Sequence, residues 1–407
     1  MESRRILHID ADAFFVAVAR LVDPDGAGKA PLLIVGGRPG GRGVVCSASY
    51  ETRAFGVRSA MPISRALRLC PDAMCVPVPR ECGAKSKEIR RALEQWTPAV
   101  EGASVDEWYL DMTGTERLYG NEPLETTAHR IRDSVYFATQ MRVSIGGGPS
   151  KYIAKLAAER AKPRKDRPGA NGVRIVPDDG VAAFLHDLPL ADIPGVGPKA
   201  QAHLAQFGLV KISDVLPQDR AWLKKQFGEH GGDWLYARVR GIDDRDVRVR
   251  DLRKQLSHER TFSTDIADDR ALGRRLDGVA RLAAGDLRKE GLRAKTITVK
   301  LRDADFKTRS AVRTLPVAVE SDRVIVDVAR ELLAKLRAAR RRPARLVGVA
   351  LGGLGPSKDD EMQLQLFEPD DDKVVRETEK DRKLSRAVDS VRKKFGDEAI
   401  HVGGNSP

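Results

Sequence analysis

Two acidic clusters sit where apolar, strand-like runs break off. His8-Ile9-Asp10-Ala11-Asp12-Ala13-Phe14-Phe15 continues the run Ile6-Leu7, and Ser104-Val105-Asp106-Glu107 precedes Trp108-Tyr109-Leu110-Asp111. Carboxylates placed at the ends of two strands can meet in space and offer hard oxygen ligands to divalent cations. Two such cations, roughly 3.5–4 Å apart, are the device of in-line phosphoryl displacement in polymerases and nucleases. Asp10, Asp106 and Glu107 are therefore the candidate catalytic and metal-holding residues. A lone acid at a strand end is ordinarily a turn or surface residue, so the neighbouring motifs decide between the readings.

Three of those motifs handle phosphate or sugar. In Ser49-Tyr50-Glu51-Thr52-Arg53, Tyr50 and Arg53 stand three apart and share one face of a helix. A phenol and a bidentate guanidinium on one face can hydrogen-bond a triphosphate, with Lys162 a third cation. Ile193-Pro194-Gly195-Val196-Gly197-Pro198-Lys199-Ala200 reads as a helix-hairpin-helix turn, flanked by Leu188, Leu204 and Phe207 as packing residues. Its glycines and the following helix N-terminus present backbone N–H groups to a DNA phosphate, which assigns Gly195, Gly197 and Lys199 to DNA. Phe14 and Phe15 follow the first acids as core aromatics or as a wall beneath an incoming sugar; a bulky ring there would exclude a ribose 2′-OH.

These residues must be positioned by a chain of 407 residues, enough for two to four domains. Its net charge of +13 favours a polyanionic partner, nucleic acid or a membrane surface. No apolar run of membrane-spanning length is present, and the N-terminus does not read as a signal peptide, so the cytoplasm is the expected location. Cys46, Cys70, Cys75 and Cys82 lack the spacing of a zinc site and read as reduced thiols.

Residues 1–180 mix strands such as 31–35 with helices at 85–96 and 151–162; the basic, Pro/Gly-bounded segment 162–169 breaks the pattern and reads as a mobile loop. Residues 181–240 read as all-helical, and 240–256 as an exposed tether. Residues 257–355 read as a second α/β unit, with amphipathic helices marked by Leu272–Leu287 and by Ile325–Leu336. In Thr296-Ile297-Thr298-Val299-Lys300-Leu301-Arg302 the apolar residues alternate with Thr296, Thr298, Lys300 and Arg302, giving a hydroxylic and basic sheet face suited to a phosphate backbone. Residues 241–355 hold 27 Lys and Arg against 17 Asp and Glu, so +10 of the net +13 falls there. The tail, 356–407, carries one apolar knot, Gln363-Leu364-Gln365-Leu366-Phe367, and a helix expected over about 373–395.

Over nearly its whole length the chain resembles the Y-family translesion DNA polymerases of the DinB type. The segments 8–15, 49–62, 104–107, 144–151 with 161–163, and 193–200 resemble the family's opening, fingers, palm, triphosphate-lysine and thumb motifs. Residues 257–355 resemble its little finger, and 363–367 the bacterial clamp-binding peptide. The resemblance implies an α/β (α+β) multidomain right hand: a ferredoxin-like palm (1–13 and 79–177), small fingers (14–78), a helix-hairpin-helix thumb (178–240), a linker (241–256), an α/β little finger (257–355) and a tail (356–407).

It further implies that Asp10, Asp106 and Glu107, with the Ala11 carbonyl, hold two Mg²⁺ ions, or Mn²⁺ in their place. Phe14, Phe15, Cys46, Ser47, Tyr50, Arg53 and Lys162 would contact the nucleotide: Phe15 as steric gate, Cys46 and Ser47 over the nascent base pair, Tyr50, Arg53 and Lys162 on the triphosphate. The expected partners are primer-template DNA, deoxynucleoside triphosphates, and a sliding clamp bound through Gln363, Leu364, Leu366 and Phe367, with no membrane and the chain a monomer. Two departures stand out. Ala19 occupies a position where the family usually carries Glu, and the loop 164–170 is longer than usual.

The expected reaction is template-directed nucleotidyl transfer. One metal lowers the pKa of the primer 3′-OH and the other neutralises the triphosphate and leaving pyrophosphate, while the protein positions reactants and charge. A second acid constellation for proofreading is not evident, which predicts distributive, error-prone synthesis. The rivals are a catalytically dead adaptor on DNA, which would have lost its acids, and a nucleotide cyclase, which needs neither the hairpin nor the basic α/β module.

Overall fold

The structure, a computed structural model, describes residues 4–163, 169–249, 253–356, 377–396 and 399–400. It divides into two compact units, residues 1–250 and 251–407.

The first unit contains β1 (Ile6–Ala11), β2 (Leu33–Gly36), β3 (Val45–Ala48), β4 (Met74–Val76), β5 (Val100–Gly102), β6 (Glu107–Asp111), β7 (Val143–Gly148) and β8 (Val173–Ile175). Five of these form one sheet in the order β5-β6-β1-β7-β8, antiparallel except for the parallel pair β7-β8. The pleat assigns the faces. Leu7 and Ile9 lie opposite Leu110 and Trp108, and this side packs into a core with Ile89 and Leu93 of the helix Cys82–Glu94 and Ile131 and Val135 of the helix Leu124–Thr139. His8, Asp10, Glu107 and Tyr109 therefore share the other side.

That second side is covered by the helix Lys151–Ala161. The approach is close because β7 ends in glycines: a Cβ on Gly146 would stand 2.1 Å from the Ala154 carbonyl oxygen and 2.0 Å from the Ala158 nitrogen. The helix starts where expected, with Ser150 Oγ accepting the Ile153 N–H as its cap.

β2, β3 and β4 form a separate small sheet in the order β3-β2-β4. The short helices Tyr50–Arg53 and Ile63–Leu69 belong to this region. Residues 181–239 are helical, as expected, around Leu188, Ile193, Leu204, Ile212, Leu223 and Leu235. Phe207 departs from expectation: it is 41% exposed, edge-on to His203 and Trp222.

The segment 241–249 is largely exposed, as its composition suggests, but it is anchored and not a free tether. The Asp243 side chain is 1% exposed and accepts the Tyr152 N–H at 3.1 Å as well as the Arg245 guanidinium. Glu101 Oε2 accepts the Arg248 N–H at 2.7 Å. A polar sequence reads as solvated, but here Asp243 caps the start of the helix Lys151–Ala161 and the Arg248 backbone binds Glu101 on the edge strand β5.

The second unit is a four-stranded antiparallel sheet, β11-β10-β12-β9, built from β9 (Gln255–Ile266), β10 (Leu292–Asp303), β11 (Thr308–Val319) and β12 (Ala344–Pro356). Ile297, Val299 and Leu301 point into a core shared with the helices Asp269–Lys289 and Asp322–Ala339. The C-terminal helix runs over Glu379–Phe395 and is docked on this unit, so it is not a free tail. Ser385 Oγ accepts the Asp322 N–H, Asp389 takes both ends of the Arg288 guanidinium, and Asp381 does the same for Arg323. The clamp-type residues Gln363, Leu364, Leu366 and Phe367 lie outside the described residues, as does most of the loop 164–170.

Candidate active site

Strand register brings the acids together. Asp10 is directly opposite Glu107, and the Ala11 N–H donates to the Asp106 carbonyl at 2.9 Å. The two clusters, nearly a hundred residues apart in sequence, thus meet at one end of the central strand pair, as expected. Their carboxylates are engaged one by one. Lys162 Nζ donates to Asp10 Oδ2 at 2.8 Å and also pairs with Glu159 at 2.9 Å. Lys155 Nζ donates to Glu107 Oε1 at 2.5 Å, and Ser104 Oγ donates to Asp106 Oδ1 at 2.5 Å. Among the described residues, no three acidic, histidine or cysteine side chains are already gathered as a cation cage.

The electrostatics fit a cation nonetheless. Burial pushes the Asp10 carboxyl up to about 6; Lys162 pulls it back, and the neighbouring charges of Glu107 and Asp106 push the same way as burial. Negative charge is thus concentrated in a poorly solvated place, and the donors are the hard oxygens that Mg²⁺ takes. Burial alone would lower the Lys162 ammonium, but Asp10 and Glu159 hold it above its ordinary range. His8 is 1% exposed, stands edge-on to Tyr109, and is kept neutral by burial with help from Lys155 and Lys162.

The nucleotide-side residues divide. Ala13 has φ 47°, a left-handed turn that costs about 1–2 kcal/mol in a non-glycine residue. It swings the chain from the acids straight into the helix Phe14–Val22. That turn buries Phe14, 1% exposed, in the core beneath the sheet, and leaves Phe15 half-buried beside it at a ring distance of 5.4 Å. The Phe14 side chain is therefore a core group, because the first inward position of the helix falls on it. Tyr50 and Arg53 do share a face, with the guanidinium 5.3 Å from the ring centre, and Arg53 Nε donates to the Ala48 carbonyl. Cys46 is exposed on β3, whereas Ser47 is buried and faces the Arg53 guanidinium at 3.5 Å.

The hairpin glycines are exposed, and Gly195 has φ 108°. A Cβ there would stand 2.9 Å from the Trp234 ring. The Gly197 N–H is taken by the Gly195 carbonyl, so the outward donors are those of the helix start at Lys199 and Ala200. On the second unit, Thr296, Thr298, Lys300 and Arg302 share the outer sheet face, as alternation predicts. Their cross-strand neighbours are Thr314, Val312, Ser310 and Thr308 on one side and Gly352, Ala350, Gly348 and Leu346 on the other. The face is therefore small and hydroxylic more than basic. Lys300 is paired with Glu259, and arginines such as Arg288, Arg330 and Arg337 sit on the helices, bound to acids.

Sequence reading missed Lys155, which touches Glu107 directly. The available signal was helical spacing: Lys155, Glu159 and Lys162 stand four and three apart and fall on one stripe.

Comparison with known proteins then settles the kinship. Residues 9–159 match the impB/mucB/samB family, 253–366 its C-terminal domain, and 191–243 the DNA polymerase-iota thumb domain. A DNA polymerase IV of Dehalococcoides mccartyi is 34% identical across 99% of this chain and 98% of its own. One from Halorhodospira halophila is 38% identical across 88% of this chain and 97% of its own. The chain belongs to the Y family of DNA polymerases, in its DNA polymerase IV group. Among solved structures, a Y-family chimera of Dbh and Dpo4 matches with TM-score 0.75 and 27% identity, over 86% of this chain and 98% of the other. DinB from Sulfolobus solfataricus matches at 0.59 and 27% over the same shares. This Y-family member is a DNA-directed DNA polymerase of the translesion type. No helix among its described residues is long and apolar enough to cross a membrane.

Proposed function

We propose that this polymerase adds deoxynucleotides to a primer 3′ end through the site built on Asp10, Asp106 and Glu107. The observation that carries the reading is the register that sets Asp10 against Glu107 and Ala11 against Asp106, beneath a helix that delivers Lys155 and Lys162. When bound, two divalent cations, Mg²⁺ or Mn²⁺, held by the three carboxylates and the Ala11 carbonyl, supply Lewis acidity and offset the charge of the triphosphate. Asp10, Asp106 and Glu107 would themselves supply the carboxylate oxygens. Lys162, kept protonated beside Asp10, places a fixed positive charge at the junction of acids and triphosphate. Tyr50 and Arg53 hold the outer phosphates from the fingers. Phe15 stands beneath the sugar and excludes a 2′-OH, and Cys46 lies over the new base pair.

Primer-template DNA is the second substrate, held by the hairpin at 195–199 and by the outer face of the little-finger sheet. The chain works as a monomer in the cytoplasm, with low fidelity and no proofreading, and meets a sliding clamp through Gln363, Leu364, Leu366 and Phe367. Primer extension on undamaged and lesion-bearing templates, with deoxy- and ribonucleotides and with a chelator control, tests this reading. Metal-dependent extension with deoxynucleotides past a lesion is expected. Extension that survives full chelation, or the absence of extension on every template, would contradict it.

A further inference from the structure

In the second unit the helices Asp269–Lys289 and Asp322–Ala339 lie antiparallel, tied by Arg288 to Asp322 at one end and by Arg337 to Asp269 at the other. A groove of about 610 Å³ opens between them at the Asp269 end. Its floor is small and apolar, made by Gly273, Leu333, Ala334 and Ala338. A Cβ on Gly273 would meet nothing within 4 Å, so the space above it is open. The walls are cationic: Arg270, Arg274, Arg330, Arg337 and Arg341 stand against Asp269 alone among the described acids that line it.

Three of these arginines are held by acids, Arg330 by Asp277, and Arg337 and Arg341 by Asp269. Arg270 and Arg274 are not. They stand four apart on one helix face, both exposed, with no ion pair or hydrogen bond among the described residues. The other end of the same helix pair shows what such a surface takes. There the helix Glu379–Phe395 sets Asp389 on Arg288 and Asp381 on Arg323. Ser385 and Val388, both buried, fall on the same helical stripe between those acids. Carboxylates on arginines, with small and apolar groups between, thus cover one half of the groove and leave the other half empty of protein.

We propose that the open half docks an acidic, amphipathic helix of a partner protein, its apolar stripe on Gly273, Ala334 and Ala338 and its carboxylates on Arg270 and Arg274. Charge complementarity supports this, as does continuity with the interface of the helix Glu379–Phe395. Nucleic acid fits less well. No aromatic ring for a base to stack on is among the described residues lining the groove. The helices also pack on the Ile297 and Val299 side of the sheet, opposite the Thr296 and Thr298 face proposed for DNA. Partner and primer-template can therefore be held at once. The docking site is separate from the catalytic acids and goes beyond the activity proposed above.

Fluorescence anisotropy with the intact enzyme tests the site. The probe is a labelled helical peptide with leucines every three to four residues flanked by glutamates; the controls are the same peptide with glutamine for glutamate, and an oligothymidine. The glutamate peptide should bind saturably, more weakly at high salt, and equally with and without primer-template. The glutamine peptide should not bind. Arg270→Gln combined with Arg274→Gln removes two exposed, unpaired groups, so the fold should be kept. It should weaken the glutamate peptide about 3- to 30-fold and leave basal primer extension unchanged. Ala334→Glu, which sets a like charge on the floor, should abolish binding. No saturable binding, or binding that neither variant alters, would overturn the docking site. Tighter binding of oligothymidine, lost in the arginine variant, would overturn it in favour of a nucleic-acid surface. Self-association of the enzyme, lost in the same variant, would overturn it in favour of a second copy of this chain.

Discussion

Lys162 Nζ donates to Asp10 Oδ2 at 2.8 Å, joining the end of the first strand to the end of a helix 152 residues later. The lysine is thereby a charge fixed by a carboxylate of the candidate site, more than a free arm. Lys162→Ala should lower kcat/KM for nucleotide about 10²- to 10³-fold, as for the loss of one preorganised stabilising group. Steady-state kinetics check this, and a loss under about threefold would place the triphosphate elsewhere.

Lys155 has the same relation to Glu107 at 2.5 Å. On the proposed reading it would orient a ligand without being one, and outer partners of this kind are worth about 10- to 100-fold. Lys155→Met should therefore raise the Mg²⁺ concentration needed for half-maximal extension. A metal titration identical to that of the wild type would reduce Lys155 to a surface pair.

The folded state holds Asp10 at a cost. A carboxyl carried from 3.8 to about 6, chiefly by burial, disfavours the metal-free fold by about 3 kcal/mol once ionised. The sign follows: the folded form binds this proton more tightly, so its contribution is fully present below pH 3.8 and lost as pH rises through 6. Asp10→Asn should thus raise the melting temperature in chelator at pH 8, and the gain should vanish near pH 4. A destabilised variant at pH 8 would show that the Lys162 pair outweighs burial.

Only Phe15 of the aromatic pair is left beside the site, because Phe14 fills the core. Phe15→Ala should raise ribonucleotide use relative to deoxyribonucleotide about 10- to 100-fold, and Phe14→Ala should instead cost about 3–5 kcal/mol of stability. Paired incorporation assays and melts separate the two; unchanged discrimination in Phe15→Ala would assign the gate to another residue.

How far the sequence reaches is plain from particular residues. Alternation in β1 and β6 put Asp10 and Glu107 on one face, and period two is enough to read that. Tyr50 and Arg53, three apart on a helix, met as spacing requires. The anchoring of 241–249 was illegible because Asp243 bonds to the start of a distant helix and the Arg248 N–H to Glu101 at a sheet edge, and composition carries no trace of such pairing. The outer face of β10 is less basic on the sheet than in its own sequence, because its neighbours Thr314, Val312, Ser310 and Thr308 come from another strand.

The docked helix Glu379–Phe395 changes how the clamp peptide must be tested. Truncation after Pro356 removes both, and the loss of Asp389 from Arg288, which is 4% exposed, costs the little finger about 1–3 kcal/mol. Leu366→Ala with Phe367→Ala should abolish stimulation by the clamp without shifting the melting profile. Stimulation that persists in this variant would free residues 363–367 from the role.

Primer extension by Asp106→Ala beside the wild type, at saturating Mg²⁺ and nucleotide, bears most directly on the proposed catalytic acids. Loss of extension by the variant, with primer-template binding retained, is the predicted result. Equal extension by the two proteins would contradict the account.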